Sequence, residues 1–235
     1  MKRKIYLATA IVLLGLFFLF TALVLTVDLQ PIGPSESKVG FATINGAFRD
    51  AIGSFADTEE GYSKLWYDVS GLIGFAPILI ALCFAILGLC QAIKRKSILK
   101  VDPEIIILGA FYVVVFAAYL GFEIIPINFR PVLMDGELEA SYPSSHTILA
   151  ACFCTTAIFE LSRLLRKKKI LMVIANVCCG AIGVAVIACR LLSGVHWFSD
   201  IIAGILLSAA LVCFYRFAVL WIQNIKAKKE TTQND

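Results

Sequence analysis

The chain of 235 residues has only two histidines, His146 and His196, and each stands in a short polar cluster. His146 belongs to Pro143-Ser144-Ser145-His146-Thr147, and His196 to Arg190-x5-His196-x3-Asp200; a third cluster is Arg130-Pro131. These residue types suit phosphate. Ser144 and Ser145 stand where an apolar stretch opens, so free backbone N–H groups and a positive helix end make an anion site there. Arg130 and Arg190 offer forked donors that match phosphoryl oxygens in a way lysine does not. His196 and Asp200 are four residues apart, one helical turn, which lets the carboxylate hold one ring nitrogen and leave the other free. That pairing describes an oriented nucleophile or base. His146 remains as the acid that protonates a departing oxygen.

Taken singly, each feature has a plainer reading. An arginine at the end of an apolar span snorkels to headgroups, Pro-Ser-Ser is an ordinary helix start, Asp200 can be a helix cap, and a lone histidine can be a satisfied polar residue. Their joint placement separates the two readings, and that depends on the elements that carry them.

Those elements are membrane spans. Hydrophobic residues make up 60% of the chain and charged residues 16%, with mean hydropathy +0.86, against about 45–50% and about 25% in soluble domains. A water-soluble monomer, a disordered chain, a collagen-like repeat and a disulfide-stapled secreted domain are all excluded. Six stretches are long enough to cross a hydrocarbon core, approximately 5–27, 71–92, 104–124, 145–165, 170–190 and 200–223. The first follows Met1-Lys2-Arg3-Lys4 but is too long for a signal-peptide core and lacks a small-x-small cleavage site, so it is expected to be a retained span. Placing both termini in the cytoplasm puts 16 of the 21 lysines and arginines on the inner side, in segments 2–4, 94–100, 163–169 and 216–229. Only Lys38, Arg49, Lys64, Arg130 and Arg190 fall outside, which fixes the orientation. The net charge of +4 is therefore a topology signal and a contact with anionic lipid, and no nucleic-acid partner is expected. This topology, set without the polar clusters, places all three on the outer side.

All eight cysteines lie inside the expected spans and read as small packing residues. The segment 28–70 is the one sizeable extramembrane piece. In it Phe41, Ile44, Phe48, Ile52 and Phe55 recur at helical intervals, weakened by Gly46 and Gly53. The pattern fits an amphipathic helix lying in the headgroup region, followed by the anchors Trp66 and Tyr67, or equally a helix packed over the mouth of the bundle. There is no internal repeat, and residues 1–235 are expected to form one membrane domain, an all-α integral bundle of six transmembrane helices.

Arg130-Pro131, Pro143-Ser144-Ser145-His146 and Arg190-x5-His196-x3-Asp200 together resemble the three-part signature of the type 2 phosphatidic acid phosphatase superfamily. Its members include lipid phosphate phosphatases, undecaprenyl pyrophosphate phosphatases and bacterial acid phosphatases. The resemblance implies a metal-independent, cofactor-free reaction through a phosphohistidine. His196 would attack phosphorus, Asp200 would orient it, and His146 would protonate the leaving group. Arg130, Arg190 and Ser144, with Ser145 and local N–H groups, would hold the phosphoryl oxygens. Three positions depart from the family pattern: Glu123 replaces a lysine, Ser145 a glycine, and Cys189 a serine. Glu123 is expected to pair with Arg130 or Arg190 or to face elsewhere, and Lys64 is a candidate substitute cation. The expected function is hydrolysis of a lipid phosphomonoester or pyrophosphate at the extracytoplasmic face, in a bacterial plasma membrane, with the lipid and the bilayer as partners. A phosphotransferase using the same site, and a non-catalytic lipid-phosphate-binding protein, are the rival readings.

Overall fold

The computed structural model describes residues 2–234, with side chains for all of them except residue 54 and residues 229–234; Lys229, of the basic set expected on the inner side, therefore lies outside the described side chains. Seven helices follow one another: α1 Lys2–Val24, α2 Ala42–Ile52, α3 Lys64–Arg95, α4 Pro103–Ile124, α5 Ser145–Leu164, α6 Lys169–Ser193 and α7 Phe198–Asn234. All except α2 are long and apolar enough to cross a membrane, and no strand occurs among the described residues. The architecture is the expected all-α bundle of six spans in a multi-pass membrane protein.

Two boundaries move by more than four residues. The second span starts at Lys64, about seven residues earlier than hydropathy indicates, so Trp66 and Tyr67 sit in its first turn. A polar turn precedes the apolar run: the Lys64 N–H donates to Asp57 Oδ1 at 2.7 Å, and Lys64 Nζ meets Asp68 at 3.1 Å. Lys64 is thus engaged on its own helix and supplies no cation to the polar clusters. The last helix continues past residue 223, because nothing in its polar tail breaks a helix.

α5 is the central span. Half of its most apolar window is buried inside the protein, against 11–28% for the other five, and its hydropathy is correspondingly the lowest at 1.4. A helix that faces protein on most sides can carry polar groups provided each finds a partner. Glu160, 1% exposed, accepts from Tyr215 on α7 at 2.7 Å and from Arg163 at 2.8 Å. Thr156 returns its hydroxyl to the Cys152 carbonyl at 2.8 Å. Around α5 the other spans turn Leu72, Leu79, Val113, Val177 and Val184 outward, each more than half exposed; with lipid as solvent this carries no penalty. α1 packs along α7, α6 lies against both α3 and α5, and α4 is held by α5 and α7.

α2 lies over the bundle mouth, against the start of α7. Its buried face differs from the aromatic stripe. Phe41, Phe48 and Ile52 are half-buried, while Ile44 and Phe55 point outward. The centre of the face is Asn45, 1% exposed. It donates to the Gly40 carbonyl at 2.8 Å and to Ser199 Oγ at 3.0 Å, and it accepts from the Ser199 N–H at 3.1 Å. A buried polar group fully paired in this way sets the helix rotation ahead of a loose apolar preference. Phe48 then stacks on Phe198 at 5.0 Å.

The α4–α5 connection folds back as a small hairpin with paired residues Phe129–Ala140 and Met134–Glu137. Its tip, Asp135-Gly136, has positive φ at both residues, as a type I′ turn requires. Val132 and Met134 bury against Val195, and Trp197 Nε1 donates to the Phe129 carbonyl at 2.7 Å. The hairpin is thereby pressed onto the α6–α7 connection.

Candidate active site

The three polar clusters meet at one end of the bundle, where α5 and α7 begin, α6 ends and the hairpin closes over. Close approach of α5 and α7 comes first. The Ser144 N–H donates to the Asp200 carbonyl at 3.1 Å. A Cβ at Gly204, one turn below Asp200, would lie 2.9 Å from Thr147 Cγ2 and 3.2 Å from the Ser144 carbonyl oxygen. Only glycine lets the two helices come this near. On the opposite side of α5, Gly74 of α3 leaves room for the His146 ring, which a Cβ there would meet at 3.3 Å.

His196 lies in the α6–α7 connection and is 4% exposed. Its Nδ1 is 3.6 Å from Asp200 Oδ2, while its Nε2 is 3.5 Å from Arg130 Nη1. The ring is therefore oriented, with one nitrogen towards the carboxylate and the other towards the guanidinium. Burial, followed by the positive charges of Arg130 and Arg190 and by the His146 ring, holds its pKa well below the ordinary histidine value. The resting imidazole is neutral and keeps a lone pair. Asp200 is fully buried and its Oδ2 accepts from the Trp197 N–H at 2.9 Å. The side chains of Ser141 and Asn128 face the same carboxylate.

Arg190 is 3% exposed in the last turn of α6. Its Nη2 donates to His146 Nε2 at 2.7 Å, and its guanidinium lies 4.8 Å over the Tyr67 ring. Among the described residues Nε and Nη1 have no hydrogen-bond partner, which is costly for a buried cation and leaves donors for an anion. Arg130, on the hairpin, is braced by Glu139 at 2.9 Å and by the Val195 carbonyl at 3.3 Å. Ser145 shares with His196 the wall of a small cavity of about 10 Å³, enough for one water-sized group. Ser144 is fully buried: its hydroxyl accepts from Thr147 at 3.1 Å and its N–H is committed to Asp200. Of the first-turn amides expected to face an anion, that of Ser144 is not free.

All the residues singled out by type and spacing, His146, His196, Asp200, Arg130, Arg190, Ser144 and Ser145, therefore gather at this end, with Ser144 one layer beneath. Glu123 pairs with neither arginine; it is exposed and lines the cavity beside His196. Cys189 is a buried free thiol. Asn128, Ser141, Glu139, Tyr67 and Trp197 complete the site without having been marked by the sequence motifs. The polar Asn128 and Ser141, flanking the hairpin, were the one available signal. Among the described residues, no three His, Cys, Asp or Glu side chains gather as a metal site would require.

Comparison with curated proteins finds no match. Among solved structures, the chain is similar to a transmembrane PAP2-type phosphatidylglycerolphosphate phosphatase from Bacillus subtilis, with TM-score 0.59 over 88% of this chain and 94% of that one. Identity is 18%, so the likeness is one of fold. The family model described as the PAP2 superfamily matches residues 39–225, which include every residue of the three clusters. On that match, the chain belongs to the PAP2 superfamily.

Proposed function

We propose that the chain is a metal-independent lipid phosphatase that hydrolyses a phosphomonoester or pyrophosphate at the extracytoplasmic face through a phosphohistidine. The observation that carries this reading is the orientation of His196: a neutral, buried imidazole whose Nε2 points at Arg130 while Nδ1 is turned to Asp200. Membership of the PAP2 superfamily supports the reaction class. Charge supports the extracytoplasmic face: the basic segments cap the helix ends opposite the site. A bacterial plasma membrane fits that topology.

In this reading the phosphoryl group enters between the two arginines, taking the unpartnered Nε and Nη1 of Arg190 and the Arg130 nitrogen not held by Glu139 or the Val195 carbonyl. His196 Nε2 attacks phosphorus in line, the P–O bond to the lipid breaks, and Asp200 stabilises the positive ring. In the resting site His146 Nε2 accepts from Arg190, so it carries no proton. Transfer of Arg190 to the phosphate frees that nitrogen to take a proton from solvent and to deliver it to the departing lipid oxygen. Water then attacks phosphorus, giving the proton back to His146, and the P–N bond breaks to release inorganic phosphate and neutral His196.

The test is phosphate release from phosphatidate, phosphatidylglycerophosphate and isoprenyl pyrophosphate in detergent, run beside His196→Ala. Turnover should vanish in the variant while the thermal transition is kept. Full activity in His196→Ala removes the proposed nucleophile. Tight lipid-phosphate binding without release would favour the non-catalytic reading, and a phosphorylated acceptor in place of free phosphate would favour the transferase.

A further inference from the structure

Glu123 stands in the last turn of α4, at the same end of the bundle as His196. Its side chain shares the wall of the roughly one-water cavity with His196, Ser145, Tyr119 and Tyr142. It makes no ion pair or hydrogen bond among the described residues, although Arg130 and Arg190 are both near that cavity's histidine. Arg130 is instead braced by Glu139. A carboxylate at a helix C-terminus is also in the wrong place for its own helix, because the dipole end there is negative. Helix end and side chain together form an electronegative rim that no ion pair among the described residues neutralises.

The charge balance extends this. Two arginines face the phosphoryl position, one of them already shared with Glu139, and Glu123 adds a second rim carboxylate. A lipid pyrophosphate, with its extra negative charge, would bring that charge against Glu123. A monoester whose own carbon chain bears an ammonium group next to the phosphate would place opposite charges on both sides of the site. An ammonium group is also of the size that a one-water cavity accepts.

We propose that Glu123 is a specificity-determining residue that receives a substrate ammonium group, so that the site selects lipid phosphomonoesters carrying an amine beside the phosphate over lipid pyrophosphates. The inference rests on the phosphatase reading above and names the substrate class of that same site.

The test uses the full-length protein in detergent with three probes: a long-chain 2-aminoalkyl phosphate, its N-acetylated form, and an isoprenyl pyrophosphate. N-acetylation removes the positive charge and keeps the phosphate and the chain. The wild type should favour the free amine over the N-acetyl form by about tenfold in kcat/KM, which is about 1.4 kcal/mol, and the ratio should shrink as salt is raised. In Glu123→Gln the ratio should fall to near one, and Glu123→Lys should shift preference to the pyrophosphate. An unchanged ratio in Glu123→Gln, or no preference in the wild type, overturns the proposal. So does a pyrophosphate preference that depends on added Mg²⁺ and is lost in Glu123→Gln, since the rim would then serve a metal ion. If the wild type releases phosphate from none of the three, the phosphatase reading fails on its own account. Equilibrium binding of the amine and N-acetyl pair then decides the role of Glu123, equal affinities overturning it.

Discussion

The close approach of α5 and α7 can be tested by one methyl group. In Gly204→Ala the new Cβ would stand 2.9 Å from Thr147 Cγ2 and 3.0 Å from Thr147 Cβ, whereas carbon atoms rest at about 3.5–4.0 Å. The helices must therefore separate by about 0.6 Å or more. The Ser144 N–H···Asp200 O contact, now 3.1 Å, would lengthen to about 3.7 Å, beyond hydrogen-bond range. Overpacking of this kind costs about 1–3 kcal/mol, and displacement of a reacting group by about 1 Å lowers rate about a hundredfold. We expect a lower Tm in detergent and a ten- to hundredfold loss of kcat for phosphate release. Adding Thr147→Ser, which deletes Cγ2 and keeps the hydroxyl bonded to Ser144, should restore part of both. Wild-type Tm and kcat in Gly204→Ala would refute the view that this contact sets the site. Failure of Thr147→Ser to restore anything would refute Thr147 as the obstacle.

Asn45→Leu removes three hydrogen bonds and leaves the buried Ser199 N–H unpaired, so Tm should fall, with a loss of about 1–3 kcal/mol; an unchanged transition would mean that α2 is not anchored there. His146→Ala should slow alkyl phosphates more than activated aryl phosphates, because only the former need a proton on the leaving oxygen; an equal effect on both would remove it as the acid. Because the pKa of His196 is pushed well below the ordinary value, the acid limb of kcat/KM should fall below about pH 6.5. Arg130→Ala, which removes one of the positive charges responsible, should move that limb upward. The same depression means that the unfolded chain binds the proton first, so the stability contributed by neutral His196 is present above about pH 6.5 and declines as pH falls towards the lower folded value. An acid limb at the usual histidine value in the wild type would show that the burial of His196 does not govern its protonation.

The six spans and the gathering of the polar clusters were legible because both depend on local signals. Runs of apolar residues mark lipid contact, and the one-turn spacing of His196 and Asp200 survives into the fold. α5 was legible too, though less plainly: its lower hydropathy reflects Thr156 and Glu160, which meet Tyr112 on α4 and Tyr215 on α7. What the sequence could not yield were choices made by distant residues. The rotation of α2 is set by Asn45 meeting Ser199, 154 positions away, which overrides the stripe from Phe41 to Phe55. Arg130 is braced by Glu139 only because the Asp135-Gly136 turn brings them across a hairpin. Glu123 was expected either to pair with an arginine or to face elsewhere; it takes the second course, while Arg130 is braced by Glu139 and Arg190 meets His146.

The pairing of α1 with α7 joins the earliest and the latest spans to be made. During synthesis α1 must wait for its contacts along α7 until residues beyond 198 emerge. His196 and Asp200 arrive at the same moment. Completion of the bundle and completion of the polar cluster are thus one event in biogenesis. A nascent chain stalled before α7 would lack both Asp200 and the helix along which α1 packs.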